Sequence, residues 1–166
     1  MTNEEILKDL LAKFGESKIF DGVENYDLIN ITTNSEDIVD ILIYLYQHPI
    51  FKFQFLTDLA GIHFPDAEGK ELGVIYHLHS LENNKRLIIK LFVPIASPIV
   101  PTITSIFAAA NWMEREAFDF YGIIFKGHPN LKRILNTDDM DYHPLRKEYP
   151  LEDATRNDKI DALFGR

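Results

Sequence analysis

The chain has 166 residues, of which 46% are hydrophobic, with a formal net charge of −9 and no cysteine. This length suits one domain with its own core, and the acidic balance opposes binding to nucleic acid or to an anionic membrane surface. The lack of cysteine excludes a disulfide and thiolate ligands for an iron–sulfur cluster or a structural zinc of the usual kind.

The sequence contains no obvious membrane segment. None of its apolar runs approaches the ~20 residues that span a bilayer, and the acidic start MTNEEILKDLL resembles neither a signal peptide nor a transit peptide. We therefore expect the chain to stay in the cytoplasm, or on that side of a membrane, and to reach a membrane only through other proteins.

The N-terminal third predicts two amphipathic helices with a strand between them. Thr2 and Glu5 have the spacing of a capping box ahead of an apolar stripe. Residues 26–32 have the composition of a strand. Ser35 is placed to cap the second helix, which closes at the His-Pro pair of residues 48–49.

Three segments rich in β-branched and aromatic residues follow, at residues 51–59, 72–81 and 86–93. The last two are joined by Glu-Asn-Asn-Lys, where asparagine tolerates the positive φ of a tight hairpin. Together these elements predict an α+β fold with a mixed, mostly antiparallel sheet, helices packed on one face, and a long irregular C-terminal extension.

The prolines of residues 97–101 mark a hinge within this organisation. We expect residues 1–96 to form the α+β sandwich. Residues 97–166 are expected to form a helix and an extended segment that wraps a partner, in one compact domain overall.

A charged helix is predicted after the hinge. Asn111 and Glu114 have the spacing of a second capping box. Arg115 and Asp119 stand one turn apart and can pair with each other, or Asp119 can pair with a partner. Gly122 supplies the left-handed residue that ends the helix.

Beyond the helix, glycines and prolines follow no helical or strand period, so regular structure is not expected. The large apolar side chains of this segment are Ile123, Ile124, Phe125, Leu131, Ile134, Leu135, Met140, Leu145 and Tyr149. Disordered tails lack such residues, and aliphatic, Tyr and Arg residues together are typical of the core of a protein interface. We therefore predict that the segment is sheltered by a partner protein.

The string EREAFDFYGIIFKGHPNLKRIL, followed by HPLRKEYPL, closely resembles the signature of the C subunit of NADH-quinone oxidoreductase, the thirty-kilodalton subunit family of respiratory complex I. LTDLAGIHF and VIYHLHSL fall upstream in the family's order, so the resemblance covers about residues 50–152. Met140 and Tyr142 stand where the family pattern Asp-Trp-x-Gly-x-Pro-Leu-Arg-Lys has Trp and Gly. The local turn and its contacts are therefore expected to differ there.

This resemblance implies a non-catalytic structural and assembly subunit in the peripheral arm of a proton-translocating NADH-quinone oxidoreductase, which carries electrons from NADH to quinone. It implies that FMN and the iron–sulfur clusters lie in partner subunits, and that this chain holds no cofactor, metal or catalytic residue. The implied partners are the large quinone-site D subunit and neighbouring cluster-bearing subunits, on the cytoplasmic side of a bacterial membrane. Nucleic acid and direct membrane insertion are not implied.

The partner interface is predicted from the composition of the segment and from the resemblance together. Its predicted residues are Glu114, Arg115, Glu116, Asp119, Phe125, His128, Pro129, Leu131, Arg133, Ile134, Leu135, Pro144, Leu145, Arg146 and Lys147. Within this set the arginines are expected either to pair with carboxylates across the interface or to bind backbone carbonyls. His128 is expected to be a hydrogen-bonded turn histidine.

Other functions remain as alternatives. His77 and His79 share one face of a predicted strand and, with His63, could present three imidazoles to the metal of a free-standing enzyme. We favour the interpretation that they are polar residues of the outer sheet face. Glu114, Glu116 and Asp119 could serve in acid–base chemistry, although structural roles are favoured. The family's homologous subunits in membrane-bound hydrogenases or related ferredoxin-linked complexes are a further alternative, as is a generic interaction module.

Overall fold

The computed structural model describes residues 2–149. The predictions made for residues 150–166 lie outside this range. The helices are α1 (Asn3–Phe14), α2 (Ile38–Gln47) and α3 (Ala110–Tyr121). The strands are β1 (Ile19–Asn25), β2 (Leu28–Thr33), β3 (Phe55–His63), β4 (Leu72–Ser80), β5 (Lys85–Val93), β6 (Ile99–Pro101) and β7 (Ile124–Lys126).

Five of these strands form one sheet in the order β1-β2-β5-β4-β3. The β2–β5 pairing is parallel, and the other three pairings are antiparallel. The short strands β6 and β7 pair in parallel as a second sheet. The predicted α+β class, with a mixed and mostly antiparallel sheet, is confirmed.

One face of the five-stranded sheet carries the core. A row across it joins Ile31, Ile89, Tyr76 and Leu59 through paired strands, and each of them is at most 3% exposed. All three helices contribute to the same hydrophobic cluster, with Ile6 and Leu10 from α1, Ile41 and Leu45 from α2, and Ala117 from α3. The helices therefore cover one face of the sheet. This is the face to which alternate residues of each strand direct their apolar side chains.

Local sequence signals determine several element ends. Thr2 accepts from the Glu5 amide, and the Glu5 carboxylate accepts from the Thr2 amide, which completes the predicted capping box. Gly122 ends α3 in the left-handed conformation, with φ of 77°. In the hairpin between β4 and β5, Asn84 adopts a φ of 50°. Each of these predictions is confirmed.

Other predicted boundaries differ from the structure. Strand β1 was not predicted, and it turns into β2 through Tyr26 and Asp27, which both have positive φ. Strand β3 begins at Phe55, because residues 51–53 form a connection after α2 in which Phe51 and Phe53 are buried. Ser35 does not cap α2, since its hydroxyl donates to the carbonyl of Ile99 at 3.1 Å. Composition alone does not distinguish a buried connection from a strand.

Helix α3 packs closely on β3. A Cβ placed on Gly61 would stand 2.5 Å from Cδ2 of Tyr121, so the helix approaches the strand within the space that a side chain would need. After α3 the chain forms β7, where no regular structure was expected. Ile123 and Phe125 are buried in the chain's own core.

Candidate partner-binding surface

The buried carboxylate of Asp119 organises the segment that follows α3. Its Oδ2 accepts from the amides of Ile134, Leu135 and Asn136 at 2.8–3.0 Å. Its Oδ1 accepts from the Asn136 side chain at 3.0 Å and from Arg133 at 2.7 Å. Burial favours a raised pKa, but the amides of Asn136 and Leu135, with the two side-chain donors, hold the pKa of Asp119 well below its usual range.

Arg133 continues this network. One terminal nitrogen donates to the Asp119 carbonyl at 3.1 Å as well as to its carboxylate, and the other donates to the carbonyls of Met140 and Tyr142 at 2.7 and 2.9 Å. Asp119 thus pairs with Arg133 and not with Arg115. Tyr142 does not adopt a positive φ, so this turn does not need the glycine of the family pattern. Arg133 thus contacts the backbone carbonyls of Met140 and Tyr142, the two residues that depart from the family pattern, and not their side chains.

Two further arginines, one in α3 and one in the segment that follows it, also bind backbone carbonyls. Arg115 donates to Lys132 O at 3.1 Å and to Arg133 O at 2.9 Å. Arg146 donates to Tyr121 O at 2.8 Å. Of the two expected roles for the arginines, the structure thus shows the backbone-carbonyl role, for which the planar guanidinium fork is suited.

Glu114 does not cap α3. The helix begins at Ala110 without a side-chain cap, so the predicted capping box with Asn111 is wrong. Instead the Glu114 carboxylate accepts from the Ile103 amide at 2.8 Å and from the Thr102 hydroxyl at 2.6 Å. Glu114 is fully buried, and this burial raises its pKa to about 7.

The three histidines of the metal hypothesis lie apart. His63 faces the core side of the sheet, where Nδ1 accepts from the Lys147 amide at 2.9 Å. His77 and His79 alternate with the core residues of β4 and point to the opposite face. Within residues 2–149 no group of three His, Asp or Glu side chains is arranged to hold a metal. The structure therefore does not support a metal enzyme built on these residues.

From His128 to Tyr149 no residue is buried. Within this range the most exposed apolar side chain is Leu135, at 67%, followed by Tyr142, Leu145 and Tyr149 at 37–38%. The rings of Tyr142 and Tyr149 lie 4.9 Å apart. The segment therefore holds its backbone against α3 and packs Leu131 against the core, while it leaves Leu135, Tyr142, Leu145 and Tyr149 exposed. We call residues 128–149 the anchored segment.

The predicted interface residues fall into three groups. Those buried inside the chain are Glu114, Arg115, Asp119 and Phe125. Those half-buried are His128, Leu131, Arg133, Ile134, Pro144 and Arg146. Those exposed are Glu116, Pro129, Leu135, Leu145 and Lys147. The buried group offers no surface to a partner in this conformation, and its contacts position the exposed group.

His128 behaves as the expected turn histidine, since Nδ1 accepts from the Asn130 amide at 3.0 Å and Nε2 lies 3.1 Å from Asn111 O. Sequence reasoning missed two outward-facing aromatic residues, Tyr142 and Trp112, the latter 59% exposed. Neither residue belongs to a periodic apolar pattern. For Tyr142, the only indication in the sequence was that it departs from the family pattern.

Across residues 2–149, none of the helices has the length and apolar character that crossing a bilayer requires. Residues 31–155 match the family model described as the 30 kDa subunit of respiratory-chain NADH dehydrogenase.

Similar curated proteins include the NADH-quinone oxidoreductase C subunit of Geobacter metallireducens, which is 37% identical over 93% of both chains. The C subunit of Methylobacterium sp. strain 4-46 is also 37% identical, over 89% of this chain and 67% of the relative. That of Nocardioides sp. is 42% identical over 70% of this chain, but the match spans only 46% of the relative's length.

Two solved structures share the fold. The trypsin-resistant fragment 1–134 of Nqo5 superposes with a TM-score of 0.65 and 29% identity, and the match covers 79% of this chain and 100% of that one. A chain of the membrane-bound sulfane sulfur reductase, an archaeal respiratory membrane complex, gives a TM-score of 0.75 at 24% identity. That match covers 89% of this chain and 85% of the other, and it supports the fold alone.

Proposed function

Since the chain belongs to the family of the 30 kDa subunit of respiratory-chain NADH dehydrogenase, we propose that it is a non-catalytic assembly subunit in the peripheral arm of a proton-translocating NADH-quinone oxidoreductase. It supports electron transfer from NADH to quinone by packing on the large subunit that helps to form the quinone site. FMN and iron–sulfur clusters belong to neighbouring subunits, and the chain lies peripherally on the cytoplasmic side of a bacterial membrane through those neighbours.

The observation that carries this proposal is the orientation of the anchored segment. Its backbone is held by Asp119, Arg133, Arg115 and Arg146, while Leu135, Tyr142, Leu145 and Tyr149 are each more than a third exposed. A surface that is already ordered loses little conformational entropy when a partner binds it. Because the free segment leaves these side chains in water, a partner surface gives them the burial that the chain itself does not supply.

Burial of the exposed apolar side chains supplies part of the free energy of such a contact. Four side chains, Leu135, Tyr142, Leu145 and Tyr149, are more than a third exposed. Complete burial of a large apolar side chain contributes roughly 1.5–3 kcal/mol, so partial burial of all four contributes on the order of 5 kcal/mol before the costs of association. Exposed Glu116 and Lys147 supply the polar rim that such interfaces carry.

The experiment is a comparison of two equally exposed leucines. Leu135 is 67% exposed in the anchored segment, and Leu81 is 66% exposed in the β4–β5 hairpin. We expect Leu135→Asp, and likewise Leu145→Asp, to reduce co-purification with the large subunit from solubilised membranes by about tenfold. Leu81→Asp should leave co-purification unchanged. Urea denaturation of the isolated chains checks that all three variants fold.

Wild-type recovery of the large subunit by both anchored-segment variants would count against the proposal. Glu116→Gln serves as an additional rim control, because exposed charges at a rim contribute little to affinity. We therefore expect Glu116→Gln to reduce co-purification with the large subunit only modestly.

A second candidate is the homologous subunit of a membrane-bound hydrogenase or a related ferredoxin-linked complex. The fold similarity to a chain of the sulfane sulfur reductase complex supports it. Mass identification of the co-purified subunits separates the two candidates, since an NADH-oxidising flavin subunit is expected in one assembly and not in the other.

A further inference from the structure

The second face of the five-stranded sheet has an unusual composition. The residues that alternate along the strands with those of the core row point to this second face. The row next to the core row joins Thr32, Lys90, Ile75 and Ala60. No described helix contributes its core side chains on this side. We define the open face by Ile62, Ile75, Ile88, Phe92, Arg86 and Lys90.

Apolar side chains occupy the centre of the open face. Ile62, Ile75, Ile88 and Phe92 are half-buried, yet none of them belongs to the core cluster or packs against it. Phe92 also contacts Phe64, which is 50% exposed, with ring centroids 6.1 Å apart. An antiparallel sheet with one solvated face usually alternates apolar residues inward with polar residues outward. A contiguous apolar area on the outward side indicates a surface that another protein covers.

The open face is cationic on balance, although the whole chain is acidic: within residues 2–149 it carries Arg86 and Lys90 against one carboxylate, Asp58, which lies in register with His77 on the edge strand β3. Arg86 and Lys90 lie among its apolar residues, next to His79 and Ile75 in register. Neither cation has a carboxylate partner within the described part of the chain. The chain as a whole carries −9. Two unpaired cations among apolar residues on an acidic protein match a surface that combines apolar and acidic side chains.

We propose that the open face binds a second protein subunit, whose contacting surface combines apolar side chains with Asp or Glu. This contact is separate from that of the anchored segment, which lies against α3 on the covered side of the sheet. The chain is therefore held between two neighbours. The proposal rests on the proposed function, because it requires a multisubunit assembly.

An anionic membrane fits the open face less well than a protein does. Each Lys or Arg near such a membrane contributes about 1 kcal/mol, and the face has two of them on a chain of net charge −9. This attraction is weak beside the repulsion from the remaining charge. A protein surface can instead place carboxylates directly opposite Arg86 and Lys90.

The first test reverses single charges within the assembled complex. Tagged wild-type chain, Lys90→Glu, Arg86→Glu and the control Lys8→Glu are purified with their complexes from solubilised membranes and washed with increasing salt. Lys8 lies on α1 and is 74% exposed. We expect each open-face reversal to lower the chain retained at about 0.3 M salt at least fivefold, since rim and interface charges set salt dependence. Lys8→Glu should behave as wild type.

The second test does not depend on a charge change. A photo-cross-linking amino acid replaces Ile88 in the tagged chain, and cross-linked peptides from the purified complex are identified by mass. The expected product joins this chain to another subunit at a peptide that contains Asp or Glu. Changing that acidic residue to Lys should restore retention of the Lys90→Glu variant.

Each alternative outcome has a definite meaning. A wild-type chain that joins no complex would overturn both proposals. A wild-type chain that assembles, with full retention of both open-face variants, overturns only the open-face proposal. So do cross-links from position 88 to a second copy or to the chain itself, or the absence of any cross-link. Binding of the isolated chain to phosphatidylglycerol vesicles that Lys90→Glu abolishes would assign the face to the membrane instead.

Discussion

The carboxylate of Asp119 and the guanidinium of Arg133 lie 2.7 Å apart, and this contact connects the last turn of α3 to the irregular segment that follows. Asp119 is fully buried, and the Arg133 side chain is 11% exposed. Since the same carboxylate also accepts from three consecutive amides, one side chain replaces the hydrogen bonds that a helix or strand would provide. An aperiodic segment thereby keeps a defined backbone.

Replacing Asp119 with Asn should therefore release the anchored segment. Breaking a buried, hydrogen-bonded pair by changing one partner typically costs about 3 kcal/mol. We expect a loss of this order in urea denaturation, with faster tryptic cleavage after Lys132 and Arg133. Asp138→Asn is the control, because Asp138 is exposed.

The cost of Asp119→Asn should depend on pH. The pKa of Asp119 is below its ordinary value of 3.8, so its contribution is present above pH 3.8 and is progressively lost as the pH falls below that value. The difference between wild type and variant should thus shrink in acid. Equal cleavage rates for wild type and Asp119→Asn at neutral pH would contradict this role.

Glu114 should make the fold less stable as pH rises. Its pKa moves from an ordinary 4.5 to about 7 in the folded chain. Between these values the folded state binds the proton and the unfolded state does not, so the free energy of unfolding falls by on the order of 3 kcal/mol and then levels off. Glu114→Gln should remove this slope in urea denaturation between pH 4.5 and 8.

Two comparisons isolate the effect of Glu114. Exposed Glu116→Gln should keep the wild-type slope. The pKa of His143 is lowered chiefly by burial, so its titration raises the free energy of unfolding as the pH rises. This opposite contribution is the same in all variants. An identical pH dependence for wild type and Glu114→Gln would show that the buried carboxyl does not titrate in this range.

Gly61→Ala should disturb the packing of α3 on β3. The new methyl group would stand 2.5 Å from the Tyr121 ring, so the helix or the ring must move. Overpacking of this kind costs about 1–3 kcal/mol. Thermal and urea denaturation should show the loss, and Tyr121→Leu in the same chain should recover part of it. Additive effects of the two substitutions would contradict a direct contact.

Arg115→Lys tests the need for a guanidinium. The Arg115 side chain donates to two carbonyls, those of Lys132 and Arg133. Lysine cannot reproduce this fork and leaves a carbonyl without its donor, at a cost of about 1–2 kcal/mol in urea denaturation. Arg86→Lys, on an exposed residue, should be neutral for the isolated chain. Equal stability of Arg115→Lys and wild type would exclude this role.

Predictions from local residue patterns succeeded where the partner groups are neighbours in sequence. The Thr2–Glu5 capping box and the left-handed end at Gly122 both depend on contacts within one helical turn. The capping role of Glu114 failed because its carboxylate found a non-local partner, the Ile103 amide eleven residues earlier. Local spacing indicates which groups a side chain can reach within its own helix, but it does not indicate which groups a neighbouring segment of the chain offers.

The amino-acid sequence by itself determined the fold class, the family, and the presence of an apolar segment without a regular period. The tertiary structure alone decided the direction in which the side chains of that segment point. Leu131 packed against the core, whereas Leu135 turned outward. The physical reason is that composition sets how much apolar surface must be covered, but in an aperiodic segment the orientation depends on backbone hydrogen bonds to distant groups such as Asp119.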